Sequence, residues 1–357
     1  NNYIGGNSDW IDFEATVSTS NDQIAIAPGY LMKEWEEDGR KYFYYKMDSK
    51  ILNFYAFLSG RYDVRREKHN GIKLEIYYHP DHIYNVDRMM NGLKDGLDYY
   101  NDNYTPYQHK QVRIIEFPRT GGGFAQAFPN TIPFSEAIGF IADVDDDDND
   151  NVDYPFSVTA HELAHQWWAH QVIGANAKGA TLLSESLSEY SSLKVLEKTN
   201  GKEQMRKFLK VAMDGYLLGR TVEQIKENPL MYNENHIHYQ KGSLVLYAMS
   251  DYLGEKKFNN VIKRFAEKYQ FKGAPYPVAT EFVDDIRAVT PDSLQYLITD
   301  MFETITLYDN KVKKANYTEL PDGKYLVSID AVVTKYRADE KGSDDNRSLL
   351  NEKKNNN

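Results

Sequence analysis

Two histidines four residues apart stand in the segment His161-Glu-Leu-Ala-His165. On a helix, side chains four residues apart lie on one face, so the two imidazoles would lie side by side. Two neutral imidazoles at this spacing suit zinc, and Glu162 is placed to take a proton from a water at the metal. The alternative is an amphipathic core helix that contains two histidines by chance. With no Gly or Pro between 157 and 173, the sequence predicts one helix over that range.

A third donor for such a metal is expected on the next predicted helix, 182–198. A catalytic zinc usually takes three protein ligands, and Glu185 and Glu189 are four residues apart, so they share a helix face. If Glu185 binds the metal, Glu189 can accept a hydrogen bond from the far nitrogen of a ligand histidine and orient that ring. The alternative is two glutamates on a solvated face. The leucines around them disfavour it, because buried carboxylates need a partner.

Three segments together resemble the aminopeptidase N family of gluzincin zinc peptidases. They are His-Glu-Leu-Ala-His-Gln-Trp-Trp from His161, then Leu183-Ser-Glu-Ser-Leu, and Tyr239-Gln-Lys-Gly. Nineteen residues separate His165 from Glu185, one more than in the family pattern, which we interpret as an insertion in the connecting loop. The resemblance implies an α+β fold: a thermolysin-like catalytic domain with a mixed sheet and a helical lobe, flanked by partial β-rich domains.

The resemblance also implies a zinc metallopeptidase that acts on peptide substrates. His161, His165 and Glu185 would hold one Zn²⁺ ion per chain, and Glu162 would be the general base. Tyr239 would donate its hydroxyl to the oxyanion that forms during hydrolysis, where a hydrogen-bond donor stabilises the transition state more than the substrate.

One family signature is missing. The family carries Gly-x-Met-Glu-Asn, whose glutamate binds the free amine of the substrate. That position falls on Ala127, or on Gln126 with a one-residue shift, and neither is acidic. We expect Gly122 and Gly123 to lead into an edge strand that still pairs with substrate backbone, so these four residues are candidate substrate contacts.

Three functional readings therefore stay open. Aminopeptidase-type activity follows from the resemblance alone. The missing glutamate favours an endopeptidase or a peptidase of restricted specificity. A non-catalytic, zinc-containing, peptide-binding domain of a membrane complex is the alternative of another class, although a structural zinc site would need neither Glu162 nor Tyr239.

The elements that position these residues can be outlined from periodicity. Alternating, aromatic-rich runs over 1–70 predict strands, followed by a strand at 73–80, a helix over 83–101 and a strand at 111–117. The run Ala137–Val144 reads as an apolar strand. After the histidine segment, helical patterns predict an α-helical lobe, and strands return over 313–337. In the lobe they predict helices over 202–218, 236–254, about 255–269, a segment capped by Thr280, and 292–303.

The outline suggests four parts. We predict the C-terminal part of a β-rich domain over 1–70, the catalytic domain over 71–308, the start of a β-sandwich over 309–340, and a disordered tail over 341–357. The chain starts at Asn1, which suggests a piece of a longer protein. The same segments also resemble a variant of the family that is fused to bacterial membrane proteins. We therefore expect an extracytoplasmic or periplasmic location and a membrane-anchored parent protein.

Composition excludes several other classes. The net charge of −11 disfavours a nucleic-acid partner, and the absence of cysteine excludes disulfides, thiolate zinc sites and cysteine nucleophiles. No apolar run is long enough for a membrane span. The acidic tract over 143–153 lacks the Gly and Glu that a calcium-binding EF-hand loop needs, which favours a solvated loop and leaves weak cation binding as the alternative.

Overall fold

The computed structural model describes residues 1–148, 151–223, 226–233 and 236–339. It confirms the α+β class, with small sheets first, then a mixed sheet, then a helical region. The strands are β1 (Trp10–Ile11), β2 (Glu14–Ser20), β3 (Ile24–Ile26), β4 (Tyr30–Glu37), β5 (Arg40–Lys46), β6 (Ile51–Leu52), β7 (Leu58–Gly60), β8 (Asp63–His69), β9 (Ile72–Tyr78), β10 (Gln111–Phe117), β11 (Thr131–Ser135), β12 (Ile305–Glu319) and β13 (Tyr325–Ala338). The α-helices are α1 (Val86–Asn103), α2 (Tyr154–Ala164), α3 (Glu185–Asn200), α4 (Met205–Thr221), α5 (His236–Leu253), α6 (Glu255–Tyr269), α7 (Ala279–Val289) and α8 (Gln295–Ile298).

Residues 1–60 form small antiparallel sheets, as their alternating sequence predicts, whereas β8 already belongs to the mixed sheet. β2, β5 and β4 lie side by side, β3 pairs with β7, and β1 pairs with β6. Phe43 and Tyr45 of β5 are two residues apart, so they share one face, and both are buried. With Phe13, Met47 and Ile51 they form a hydrophobic core of their own.

The mixed sheet has the strand order β11-β10-β9-β8. β9, β10 and β11 run parallel, and β8 is antiparallel at one edge. β10 is buried along almost its whole length, as expected for a parallel strand covered on both faces. α1 connects β9 to β10, and its apolar side chains belong to the same core as the sheet.

The predicted strand over 137–144 is wrong, because this run follows β11 as turns and irregular chain. The side-chain amide of Asn85 donates to the carbonyls of Gly139 and Ala142, both at 2.8 Å. Gly139 also lies against the ring of Phe134, where a Cβ would come within 2.6 Å of a ring carbon. The run is apolar because it packs against Phe134 of β11. The Asn85 side chain, and not a neighbouring strand, binds its backbone carbonyls.

α2 carries His161 and packs directly on α1. Its start is capped by Asp153, whose carboxylate accepts a hydrogen bond from the backbone N–H of Phe156 at 2.9 Å. A Cβ on Gly92 of α1 would lie 3.0 Å from the carbonyl oxygen of Phe156, and one on Gly96 would lie 2.8 Å from a methyl carbon of Leu163. The two glycines therefore allow the helices to touch.

The prediction of one helix over 157–173 is wrong, because α2 ends before His165 and the chain continues as hydrogen-bonded turns. Beyond the helix, backbone bonds span a mixture of three, four and five residues, as from the N–H of His170 to the carbonyl of His165. Trp167 is fully buried, and its indole donates to the carbonyl of Thr105 at 2.7 Å. Such tertiary contacts override the helical preference of the sequence.

The helical lobe agrees with the predicted helices to within a few residues. One detail is wrong: the N-cap of α7 is Val278 and not Thr280, and the N–H of Val278 donates to the carboxylate of Glu281 at 3.0 Å. β12 and β13 form an antiparallel hairpin with mostly exposed side chains, which confirms the strand character predicted for 313–337. The tail 341–357 lies outside the described residues. Among the described helices, none combines the length and apolar character that crossing a membrane requires.

α5 approaches α3 so closely at Gly242 that no side chain fits there. A Cβ on Gly242 would lie 2.2 Å from Oγ and 2.7 Å from Cβ of Ser186. The Ser186 hydroxyl donates to the carbonyl of His238, about one turn earlier in α5, at 2.7 Å. The glycine of the Tyr-Gln-Lys-Gly segment therefore sets the distance between the helix that carries Tyr239 and the helix that begins at Glu185.

Gly242→Ala should lower the free energy of unfolding by about 1–3 kcal/mol, because it overpacks this contact. Helix propensity alone would favour alanine by about 1 kcal/mol, so a net loss identifies the close approach. Chemical denaturation measures the effect, with Gly273→Ala as the control, since a Cβ at Gly273 meets nothing within 4 Å. A Gly242→Ala chain as stable as the parent would contradict the helix separation described above.

Candidate metal centre

Three donor atoms converge where α2 meets the start of α3. The Nε2 atoms of His161 and His165 lie 3.1 Å apart, and Oε2 of Glu185 lies 3.4 Å from the first and 3.3 Å from the second. A tetrahedral zinc, with bonds of about 2.0–2.2 Å, places its donors roughly 3.3–3.5 Å apart. The structure thus brings together the three residues that the sequence predicts as ligands, with both histidine–glutamate distances in this range and the histidine–histidine distance slightly below it.

The far nitrogens of both rings face groups that orient them. Nδ1 of His165 lies 3.1 Å from the carbonyl oxygen of Trp168 and 3.1 Å from the hydroxyl of Ser188. Donation from Nδ1 to that carbonyl leaves the lone pair of Nε2 for a metal. Nδ1 of His161 lies 3.1 Å from Oε1 of Glu189, at ionic distance but without hydrogen-bond alignment. Helical spacing predicted the support by Glu189, whereas Ser188 and the Trp168 carbonyl had no signal in the sequence.

The charges of the donor set compensate one another in a buried place. Burial lowers the pKa of His161, but the carboxylates of Glu189 and Glu185 outweigh it and raise that pKa well above its usual range. The pKa of His165 is raised in the same way, against burial, chiefly by Glu185. Burial would raise the pKa of Glu185, yet the two imidazoles hold it well below its usual range. Glu185 is therefore ionised at neutral pH, as a ligand for a cation must be.

Glu162 is a buried carboxylate with an unused oxygen. Glu162 is only 6% exposed, and in the described part of the chain its Oε2 has no hydrogen-bond partner. Burial raises the pKa of Glu162, against the opposing effect of His165 and His161. An unpartnered buried oxygen is costly. Other buried polar atoms share this feature, such as Thr159 Oγ1 and Ser184 Oγ, but Glu162 is distinguished by its interaction with the charges of the donor set. A raised pKa also suits proton transfer near neutral pH.

Tyr239 lies beside the donor set, with its ring centroid 6.1 Å from that of His161. Burial first, and then the charge of Glu185, raise the pKa of the Tyr239 hydroxyl well above its usual range, so it stays protonated and can donate a hydrogen bond. His161, Tyr239 and Glu189 line a cavity of about 200 Å³ whose other walls are mainly apolar side chains near α2, α3 and α4. A substrate side chain fits next to the donor atoms.

The predicted substrate contacts lie on a segment beside the free edge of β11. The N–H of Gln126 donates to the carbonyl of Pro133 at 3.0 Å, and antiparallel bridges join the segment to β11. The segment lies antiparallel at the edge of the sheet, through isolated bridges and not as a regular strand, and the chain turns at Gly122 (φ 120°), just before Gly123. Its pairing with substrate backbone stays a prediction. Gln126 is half-buried, and Ala127 is only 2% exposed. We refer to residues 122–130 as the substrate segment.

Side chains that follow His165 hold the substrate segment in place. The amide of Gln166 donates to the carbonyl of Phe128 and accepts from the N–H of Asn130, both at 2.9 Å. Nε2 of His170 lies 3.0 Å from the carbonyl oxygen of Ala127. The turns after α2 therefore connect the metal centre to the segment. Sequence analysis missed both residues, although polar side chains in an otherwise apolar run were a usable signal.

The acidic tract over 143–153 fixes the start of α2. Arg88 of α1 forms ion pairs with Asp146 and, at 2.8 Å, with the helix cap Asp153. Residues 149–150 of the tract lie outside the described residues. The described part of the tract contributes to no group of three metal-type donors.

Comparison with known proteins places the chain in a peptidase family. The model of the Peptidase family M1 domain matches residues 88–301. Rat endoplasmic reticulum aminopeptidase 1 is 25% identical over 64% of this chain and 25% of its own length. Human glutamyl aminopeptidase is 25% identical over 59% of this chain and 23% of its own length. The chain thus spans about a quarter of the length of these relatives.

Solved structures share the fold. The M1 zinc metallopeptidase from Deinococcus radiodurans superposes with a TM-score of 0.62 at 15% identity, over 82% of this chain and 63% of that one. A mutant of that enzyme bound to a Tyr-Ser-Ala substrate gives a TM-score of 0.60 at 16% identity, over 83% and 64% of the two chains. At this identity the likeness concerns the fold alone.

Glu189→Gln should weaken zinc binding by about 10–100-fold, because it removes the negative charge that faces Nδ1 of His161. Competition with a chelator measures the affinity. Glu203→Gln, which changes an exposed glutamate of the same lobe, is the control and should bind zinc like the parent chain. Equal affinities for the two variants would show that Glu189 does not support the metal centre.

Proposed function

Because the chain belongs to peptidase family M1, we propose that it is a zinc metallopeptidase of the aminopeptidase type that hydrolyses peptide bonds. The observation that carries the proposal is the buried carboxylate of Glu162 beside three donors spaced for one zinc ion. A zinc site that only stabilised the fold would need no such base. This disfavours the alternative of a non-catalytic peptide-binding domain.

Each residue near the donor set has a role in the proposed reaction. Zinc, held by His161, His165 and Glu185, would supply a Lewis acid and lower the pKa of water. Glu162 accepts a proton from the attacking water and passes it to the leaving amine. The Tyr239 hydroxyl donates a hydrogen bond to the oxyanion, and its raised pKa keeps that proton in place.

The charge of the site supports a substrate with a free amine. The carboxylates of Glu162, Glu185 and Glu189 outnumber the two positive charges of a zinc ion, so the field attracts an ammonium group. The relatives named above are aminopeptidases as well. Against this, Ala127 stands where the family has its amine-binding glutamate, and this favours the second candidate, an endopeptidase or a peptidase of restricted specificity.

The wider setting is also a proposal. The separate hydrophobic core of the N-terminal sheets supports a domain boundary before β8, because β8 already belongs to the mixed sheet. The boundaries near 70 and 308 stay predictions. We propose an extracytoplasmic location as part of a membrane-anchored bacterial protein, which rests on the resemblance of the zinc-site segments to that variant of the family.

Glu162→Gln should retain zinc and lower kcat by about 100–10,000-fold, because the amide cannot accept the proton of the attacking water. Turnover of an amino-acid anilide and zinc content per chain are measured together, with Glu203→Gln as the control. Loss of zinc from Glu162→Gln would mean that Glu162 is a ligand, and unchanged turnover would remove it from the reaction.

An amino-acid anilide should be cleaved about tenfold faster than its N-acetylated form, which corresponds to about 1.4 kcal/mol of attraction for the ammonium group. The comparison of kcat/KM for the two compounds measures the preference. Equal or faster cleavage of the acetylated compound would replace the aminopeptidase proposal with the endopeptidase one.

A further inference from the structure

A second set of metal-type donors lies at the carboxyl ends of three parallel strands. His82 follows β9, Glu116 is the last residue but one of β10, and Glu136 follows β11. One ligand atom from each residue lies within 4.8 Å of those from the other two. None of the three belongs to the candidate metal centre, and we call them the second donor set.

The two carboxylates of the second donor set converge on one imidazole. Glu116 has a side chain that is 4% exposed; one of its oxygens accepts from Nδ1 of His82 and the other from the backbone N–H of His79 at 2.5 Å. Glu136 accepts from the backbone N–H of Arg119 at 3.1 Å through Oε1, and its Oε2 lies 3.9 Å from the same Nδ1 of His82.

A simple histidine–glutamate hydrogen bond does not account for this arrangement. The N–H of one imidazole needs one acceptor, and a second carboxylate adds repulsion between like charges. Arg119 compensates little, because its guanidinium is 3.8 Å from Glu136 and 70% exposed, where solvent screens its charge. A buried carboxylate beside another is costly without a cation. A divalent ion between the three side chains would remove that cost.

We propose that the second donor set binds a divalent metal ion of the zinc class. One imidazole nitrogen with two carboxylate oxygens suits zinc, whereas calcium and magnesium take oxygen ligands. His82 would present Nδ1 as an acceptor after its ring proton moves from Nδ1 to Nε2. The hydrogen bond to Glu116 is then replaced by one bond from each side chain to the ion, and water completes the coordination.

The position of this ion gives it a structural role. Glu136 holds the backbone of Arg119, and Arg119–Gly121 form the short 3₁₀ turn that leads into the substrate segment. Because the ligands follow three neighbouring strands, one ion joins the three loops. It stiffens the support of the substrate segment without contact with the reacting bond.

Zinc content per chain tests the proposal directly. The parent chain, dialysed to equilibrium in a zinc buffer and measured by mass spectrometry of the metal, should hold two zinc ions. Glu116→Gln and Glu136→Gln, which keep the size of the side chain, should each hold one. The control is His69→Ala: His69 pairs with Asp98 at 2.7 Å and is as exposed as His82, but belongs to no three-donor group in the described residues, so two ions should remain.

A second comparison removes the candidate metal centre. His161→Ala should hold one zinc ion, and the double variant that also carries Glu116→Gln should hold none. Added zinc should therefore raise the melting temperature of His161→Ala but not that of the double variant. One ion in the parent chain that both glutamine variants keep, or two ions in the parent and in both glutamine variants, would overturn the proposal. Neither outcome bears on hydrolysis, which the anilide assay tests separately.

Discussion

The proximity of two imidazole nitrogens and one carboxylate oxygen, all within 3.1–3.4 Å of one another, is the constraint on which the rest of the site depends. Two helices must meet at a fixed distance to produce it. Gly92 and Gly96 let α1 lie against α2, and Gly242 lets α5 lie against α3. Small residues at these contacts therefore matter for the site, because an added Cβ would press against the helices that carry the donor residues.

Burial makes this proximity chemically useful and also costly. Charges inside a protein interact more strongly than in water, so each buried polar group needs a partner. His165 finds one in the Trp168 carbonyl and His161 faces Glu189, whereas one oxygen of Glu162 is left without a partner among the described residues. Other buried polar atoms of the described residues also lack a partner, but Glu162 lies next to the donor set, where the proposed reaction needs a base.

Sequence analysis could predict what local periodicity encodes. Helical spacing indicated His161, His165, Glu185 and Glu189, and the structure brings these side chains together; their roles as ligands and support stay predictions. The features that it missed depend on contacts between distant segments. The turns after α2 follow from tertiary packing, and the apolar run after β11 is held by Asn85. The second donor set combines three strand ends that no sequence spacing relates.

His161, His165 and Glu185 together are proposed to bind one zinc ion. Anomalous diffraction at the zinc absorption edge, from crystals of the zinc-loaded chain, tests it most directly. We expect a peak about 2.0–2.2 Å from Nε2 of His161, Nε2 of His165 and Oε2 of Glu185. A crystal grown with zinc that shows no anomalous peak at this position would contradict the account.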